Sequence, residues 1–140
     1  MKLNLGCGTD NLEGYTNMDM RDYGHNIVRD VRRGIPFGDN TFDEVYTCHF
    51  MEHVGHKDIY FVVEEIWRVL KDGGRFIIRV PHSATPFAFY PDHVSFWNEQ
   101  MVEALINDPY QCYGSYKFII ESNRAAGIEL QVLLKAIKEA

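Results

Sequence analysis

Trp67-Arg68-Val69-Leu70-Lys71-Asp72-Gly73-Gly74-Arg75-Phe76-Ile77-Ile78-Arg79-Val80-Pro81 reads as the end of a helix, a glycine stop and a strand. Upstream, Ile59, Val62, Val63, Ile66, Val69 and Leu70 recur at helical spacing with Glu64, Glu65 and Arg68 opposite them, which predicts a helix over residues 56–71. Asp72-Gly73-Gly74 is expected to stop it, because glycine takes the left-handed C-terminal conformation without a steric penalty. Residues 75–80 then form a strand closed by Pro81. Its centre, Phe76-Ile77-Ile78, is apolar on both faces, the pattern of a sheet covered by helices on both sides.

Toward the N-terminus, residues 2–5 read as a short strand feeding the turn Gly6-Cys7-Gly8, residues 16–20 as a second strand and residues 26–29 as a weaker third. Ile35-Pro36-Phe37-Gly38-Asp39-Asn40 is turn chemistry, and residues 43–48 hold the β-formers Val45, Tyr46 and Thr47. Toward the C-terminus a helix is expected over residues 99–106. Two strands, residues 117–122 and 128–137, follow around the turn Asn123-Arg124-Ala125-Ala126-Gly127. Strands alternating with helical segments predict an α/β fold, here a mostly parallel sheet with an antiparallel hairpin at its C-terminal end.

The 140 residues suit a single domain. A fold of that size hides roughly two-thirds of the surface of its unfolded chain, enough for a self-supporting core. Hydrophobic residues at 46% and charged residues at 24% exclude a disordered chain. A formal net charge of −6 argues against nucleic acid as a partner, because an acidic protein is repelled by phosphate backbones. Arg29, Arg32 and Arg33 are interrupted by Asp30 and read as a solvated edge. Cys7, Cys48 and Cys112 are odd in number and far apart, so neither a disulfide framework nor a zinc knuckle is expected. No signal-peptide pattern follows Met1, and no apolar run reaches membrane-spanning length. The expectation is a cytoplasmic protein without a membrane span.

Chemistry concentrates at strand ends. Leu5-Gly6-Cys7-Gly8 lets backbone approach a ligand closely, with N–H groups free to point at it. Asp19 ends the second strand, where an acidic residue can accept both ribose hydroxyls of a nucleotide. Asp30-Val31 follows the third strand, a carboxylate for an adenine amino group beside an apolar side chain for the ring. Each alone also fits an ordinary turn. Their order on successive strand ends points to a nucleotide-containing ligand.

The segment Asn40-Thr41-Phe42-Asp43-Glu44-Val45-Tyr46-Thr47-Cys48-His49-Phe50-Met51-Glu52-His53-Val54, taken with Trp67 to Gly74 and the strand to Pro81, resembles class I S-adenosylmethionine-dependent methyltransferases. More narrowly it is similar to the small type 11 methyltransferase group. The resemblance runs from Leu3 to about Val102 and is most specific between Phe42 and Pro81. It implies a single-domain, Rossmann-like methyltransferase fold over residues 1–140, with S-adenosylmethionine as cofactor and S-adenosylhomocysteine as product. By the same resemblance, Gly6, Cys7 and Gly8 cradle the amino acid part of the cofactor, Asp19 holds the ribose, and Asp30 with Val31 receives the adenine. Cys48 and His49 pass beneath the sulfonium end, and His53 lies near the pocket floor. Leu5 and Met20 complete this cofactor-binding set. Two departures stand out. Only ten residues separate Gly8 from Asp19, so Asn11-Leu12-Glu13-Gly14 forms a loop or a single turn and the family's first helix is shortened. Asp10 occupies the place of the usual third glycine.

Methyl transfer needs acceptor, methyl carbon and sulfonium in line, so much of the catalysis comes from orientation. A general base is needed only when the acceptor must lose a proton early. His93, in Tyr90-Pro91-Asp92-His93, and His82, in Val80-Pro81-His82-Ser83, resemble the substrate-side loop of the type 11 group and are the candidate catalytic residues. His49 and His53 stand at the i, i+4 spacing that can present two metal ligands. Only His56 is near as a third, and that spacing directs it elsewhere, so no metal is expected and His53 reads as a hydrogen-bonded, core-facing histidine. Phe87, Phe89, Tyr90, Phe96 and Trp97 crowd one loop. An aromatic lid over the acceptor and a homodimer interface both use such a cluster. By analogy the acceptor is a small molecule or a glycan- or lipid-linked group. Two rival readings are a non-catalytic binding or regulatory module on the same scaffold and a nicotinamide-dependent oxidoreductase. The missing third glycine and the terminal hairpin disfavour the second.

Overall fold

In the computed structural model, which describes residues 1–107 and 114–138, seven strands form one sheet in the order β3-β2-β1-β4-β5-β7-β6. The parallel strands are β1 (Lys2–Leu5), β2 (Thr16–Asp19), β3 (Ile27–Val28), β4 (Phe42–Cys48) and β5 (Leu70–Pro81). β7 (Glu129–Ala136) runs antiparallel between β5 and β6 (Phe118–Ala126). This is the expected mostly parallel sheet with a C-terminal hairpin. The hairpin turns on Gly127 and Ile128 rather than on residues 123–127. Gly127, at φ +62, supplies the left-handed residue that a two-residue turn requires. Among the described residues Cys7 and Cys48 are free thiols; Cys112 lies outside them.

The helices are α1 (Ile59–Val69) and α2 (Glu99–Asn107). α1 is shorter than its periodicity suggested. The Gly55 carbonyl accepts from both Asp58 and Ile59, so the preceding residues form a turn. At the other end the helix stops before the glycines. Leu70 is fully buried and already pairs with Phe42 across β4, while Asn40 and Thr41 donate to the carbonyls of Arg68 and Val69. Sheet pairing thus ends the helix, and Gly73, at φ +78, lies in a break in the register between β4 and β5.

Cross-strand partners share a face of a sheet, so the register divides the side chains. Leu3, Val45, Phe76 and Leu134 form one row, and each is fully buried. Both helices bury their apolar residues in this same cluster. The neighbouring row is Asn4, Tyr46, Ile77 and Leu133, on the opposite face. Ile77 is only half-buried, which corrects the expectation of helices on both sides. The physical reason is connection length. The β1–β2 and β2–β3 links contain no helix, so only loop residues from them reach that face. Polar pairing does the work there instead. Tyr15 donates to Glu44, Arg75 reaches Glu44 at 3.0 Å, and Arg79 bonds Glu129 at 2.8 Å and the Tyr46 hydroxyl at 3.1 Å. Burial, then the Glu44 bond, pushes the Tyr15 phenol up to about 12.

Two buried asparagines hold the shortened β1–β2 link. Asn4 Nδ2 donates to Asn17 Oδ1 at 2.8 Å and to the Asp10 carbonyl at 3.0 Å. Asn17 Nδ2 donates to Asn11 Oδ1 at 2.9 Å, and its Oδ1 accepts from the Leu12 amide. Loop groups that a helix would have satisfied internally find these side chains.

Candidate active site

The strand order reverses between β1 and β4, and in open α/β sheets ligands bind at such a point, outside the carboxyl ends of the strands. A cleft of about 410 Å³ opens there, within the range of small-molecule sites. It is lined by Leu5, Gly6, Gly8, Asp19, Met20, Asp30, Val31, His49 and His53 from the candidate set. Arg21, Tyr23, Arg29, Phe50 and Asp92 also line it; Phe50 and Asp92 lie in quoted motifs without having been singled out, and no motif holds the other three. Cys7 and Cys48 are not on its wall. Cys7 is buried, its Sγ directed to the Gly8 carbonyl at 3.4 Å. Burial first, then the charge of Asp19, raises its thiol pKa. Cys48 is half-buried, and burial raises its pKa too.

Gly6 and Gly8 adopt φ +71 and +55. The Gly6 and Cys7 amides both donate to the Met18 carbonyl, at 2.9 and 3.0 Å, which pins the turn against β2. Asp19 Oδ2 accepts from the Gly8 amide at 2.9 Å and Oδ1 from Arg21 at 3.0 Å. The carboxylate therefore joins the glycine turn to the end of β2. Asp30 caps a single 3₁₀ turn at Val31–Arg33 and grips the Arg32 guanidinium, with a shortest contact of 2.6 Å. That hydrogen bond holds its carboxyl below the usual range.

The opposite wall begins at His49, a non-glycine residue at φ +54. Its Nε2 meets Glu129 Oε2 at 2.7 Å, and Nδ1 lies 3.5 Å from Glu52 Oε2. Glu129 is pushed up by burial but pulled further down by Arg79, Gln131 and His49. Beyond His49, a 3₁₀ turn at Met51–His53 carries Glu52 into the interior, 2% exposed. Burial raises its carboxyl, with the backbone amide, His53, His49 and His93 opposing. His49 and His53 therefore do not share a helical face. His53 meets His93 instead, their rings 5.0 Å apart edge to face.

His93 stands behind His53 and does not line the cleft, and His82 is further removed. Both His82 nitrogens are engaged: Nδ1 accepts from Ala84 at 3.0 Å, and Nε2 meets Glu99 Oε1 at 2.6 Å. The contact holds Glu99 below the usual carboxyl range. His82 ties the end of β5 to α2 and stays away from the cleft.

A family profile described as "Methyltransferase domain" matches residues 3–78, more than half of the chain. The chain belongs to this methyltransferase family. The matching profile is that of the type 11 methyltransferases, and neither rival reading is favoured. The PH0226 protein of Pyrococcus horikoshii OT3 superposes at TM-score 0.73 and 20% identity, over 98% of this chain and 81% of that one. A 1,6-didemethyltoxoflavin-N1-methyltransferase of Burkholderia thailandensis, with bound 1,6-didemethyltoxoflavin and S-adenosylhomocysteine, matches at TM-score 0.72 and 16% identity, over 98% of this chain and 71% of that one. The Caenorhabditis elegans sterol 4-C-methyltransferase strm-1 is 36% identical over 66 residues, 47% of this methyltransferase chain. The match spans only 19% of that relative's length. Among the described residues no helix is long and apolar enough to cross a membrane.

Proposed function

We propose that the protein transfers a methyl group from S-adenosylmethionine to a small-molecule acceptor that enters the cleft beside His53 and Asp92. The observation that carries this reading is one cleft lined at one end by Gly6, Gly8, Asp19, Asp30 and Val31 and at the other by His49, His53 and Asp92. The residues present fit the cofactor. A Cβ on Gly8 would meet no atom within 4 Å, so bare backbone faces open space there. Asp19 and Asp30 offer carboxylates for ribose hydroxyls and an adenine amino group, and exposed Met20 offers apolar surface nearby. When bound, the cofactor supplies a methyl group on a positively charged sulfur.

The chain's own contribution is binding and orientation. Gly6 and Gly8 admit the ligand, Asp19 and Asp30 hold its polar groups, and Phe50 narrows the cleft beside Gly6. His53 is the acceptor-side histidine that reaches the cleft, and the His93 ring packs edge to face against it. A small-molecule acceptor agrees with the names of the Burkholderia and nematode relatives. The exposed stacked pair Phe89 and Phe96, 5.3 Å apart, agrees with an apolar portion on an acceptor, glycan- and lipid-linked groups included.

Calorimetric titration with S-adenosylhomocysteine tests the reading on wild type and Asp19→Ala. The expected result is micromolar binding weakened at least tenfold in the variant, about 1.4 kcal/mol. No binding to wild type in the millimolar range overturns it.

A further inference from the structure

We propose that Glu52, His53 and His93 form a binding site for one divalent transition-metal ion, with Zn²⁺ as the reference occupant, at the acceptor end of the cleft. Each residue offers one ligand atom, and the three atoms lie within 4.8 Å of one another. Ligands about 2.0–2.1 Å from a tetrahedral ion stand about 3.4 Å apart, so small side-chain rotations close the set.

Three observations support the site. The first is the buried carboxylate. Glu52 is 2% exposed, and its Oε1 has no hydrogen-bond partner. A buried, half-satisfied carboxylate is costly unless a cation meets it. The second is the tautomer of each ring. His53 Nδ1 lies 2.9 Å from the Asp92 carbonyl and His93 Nδ1 lies 3.2 Å from the Ala88 carbonyl. A carbonyl only accepts, so each Nδ1 carries the donated proton, and in the neutral ring each Nε2 then keeps a lone pair. Backbone carbonyls orient metal-ligating histidines in this way.

The third is the scaffold. The Glu52 carbonyl accepts from the amides of Val94 and Ser95 at 2.9 and 3.1 Å. Ser95 Oγ donates to the Met51 carbonyl at 3.0 Å, and Trp97 Nε1 donates to Ser95 Oγ at 2.9 Å. These bonds sew the loop that carries His93 onto the turn that carries Glu52 and His53, before any ion arrives. The Asp92 carboxylate, 3.9 Å from both rings, adds negative charge at the rim. By contrast Cys48, His49 and Glu129 also cluster, but Arg79 already neutralises Glu129.

Two histidines and one carboxylate leave an ion with an open coordination position, and His53 and Asp92 place the site on the cleft wall. A hydroxyl or carboxylate oxygen of an acceptor is the ligand such an ion takes there, and coordination lowers the pKa of a bound hydroxyl. The site stands on its own geometry; its assignment to the acceptor rests on the methyl-transfer reading.

The test uses the chelator-treated 140-residue chain without cofactor. Zn²⁺ titration by calorimetry is expected to show one equivalent bound, and Co²⁺ to give the intense visible absorption of a four- or five-coordinate site. Glu52→Gln and His93→Gln are each expected to weaken Zn²⁺ binding by roughly 100-fold or more, beyond the cost of losing an outer-shell partner. His56→Gln, at an exposed histidine near the start of α1, is expected to bind as wild type does. Binding that survives both ligand substitutions, or that His56→Gln alone removes, overturns the proposal. Should a ligand variant fail to fold, the wild-type Co²⁺ spectrum decides: only the six-coordinate spectrum of the aqueous ion overturns the site. S-adenosylhomocysteine titration alongside separates the two readings, since loss of either binding leaves the other standing.

Discussion

Gly6 and Gly8 belong to one motif, yet the structure gives them different work. A Cβ on Gly6 would lie 2.1 Å from Phe50 Cδ1, whereas one on Gly8 would meet nothing within 4 Å. Both carry positive φ, which costs a side chain about 1–2 kcal/mol. Gly6→Ala adds a clash worth about 1–3 kcal/mol, so a stability loss of about 3 kcal/mol is expected. Gly8→Ala is expected to lose only about 1 kcal/mol, while its methyl group intrudes on the cleft and weakens S-adenosylhomocysteine binding. Urea unfolding and calorimetry on both variants check this; equal stability losses would contradict it. The glycines were legible in the sequence, but their division of labour depends on where Phe50 sits. His49 carries the same lesson, since nothing in its local pattern signals φ +54.

At the scale of elements, Arg68 and Glu65 join α1 to the segment that follows β3. Arg68 donates to Glu65 at 2.7 Å and to the carbonyls of Phe37 and Ile35 at 2.9 Å, and reaches Asp39 at 2.9 Å. Glu65 Oε1 in turn accepts from the Ile35 amide at 2.8 Å. The Arg68 hydrogen bond holds the Glu65 carboxyl below its usual range. That depression contributes stability fully present above the unfolded value, about 4.3, and lost as pH falls through the folded value. Arg68→Met is expected to cost about 3 kcal/mol at neutral pH, with the gap to wild type narrowing as pH drops below about 4. Urea unfolding at several pH values measures this, and a pH-independent gap would contradict it. In the sequence both residues read only as the polar side of a helix. Their partners arrive from a turn-rich segment without a periodic signal.

For the whole molecule, the decisive feature is a sheet whose helices, among the described residues, pack on one face. Ile77 and Ile78 are adjacent and chemically identical, yet Ile78 is fully buried and Ile77 half-buried. Ile78→Ala is expected to cost about 3–4 kcal/mol, and Ile77→Ala about 1 kcal/mol. Comparable losses in urea unfolding would mean that the second face is covered after all. The same asymmetry explains why Glu44, Arg75, Arg79 and Glu129 pair across the sheet. A face without helices tolerates charge.

Local periodicity and turn chemistry determined the strands, the helix over α1, the terminal hairpin and the order of chemistry-bearing residues on strand ends. Those properties depend on neighbours in the chain, so a linear pattern carries them. The shortened β1–β2 link was visible as well, because ten residues cannot hold both a helix and its turns. Only the tertiary structure decided that Leu70 leaves the helix to pair with β4, that His82 is captured by Glu99, and that His93 meets His53 beside a buried Glu52. Each is a contact between residues distant in sequence, set by how the sheet closes and which face the helices cover. No local spacing encodes that.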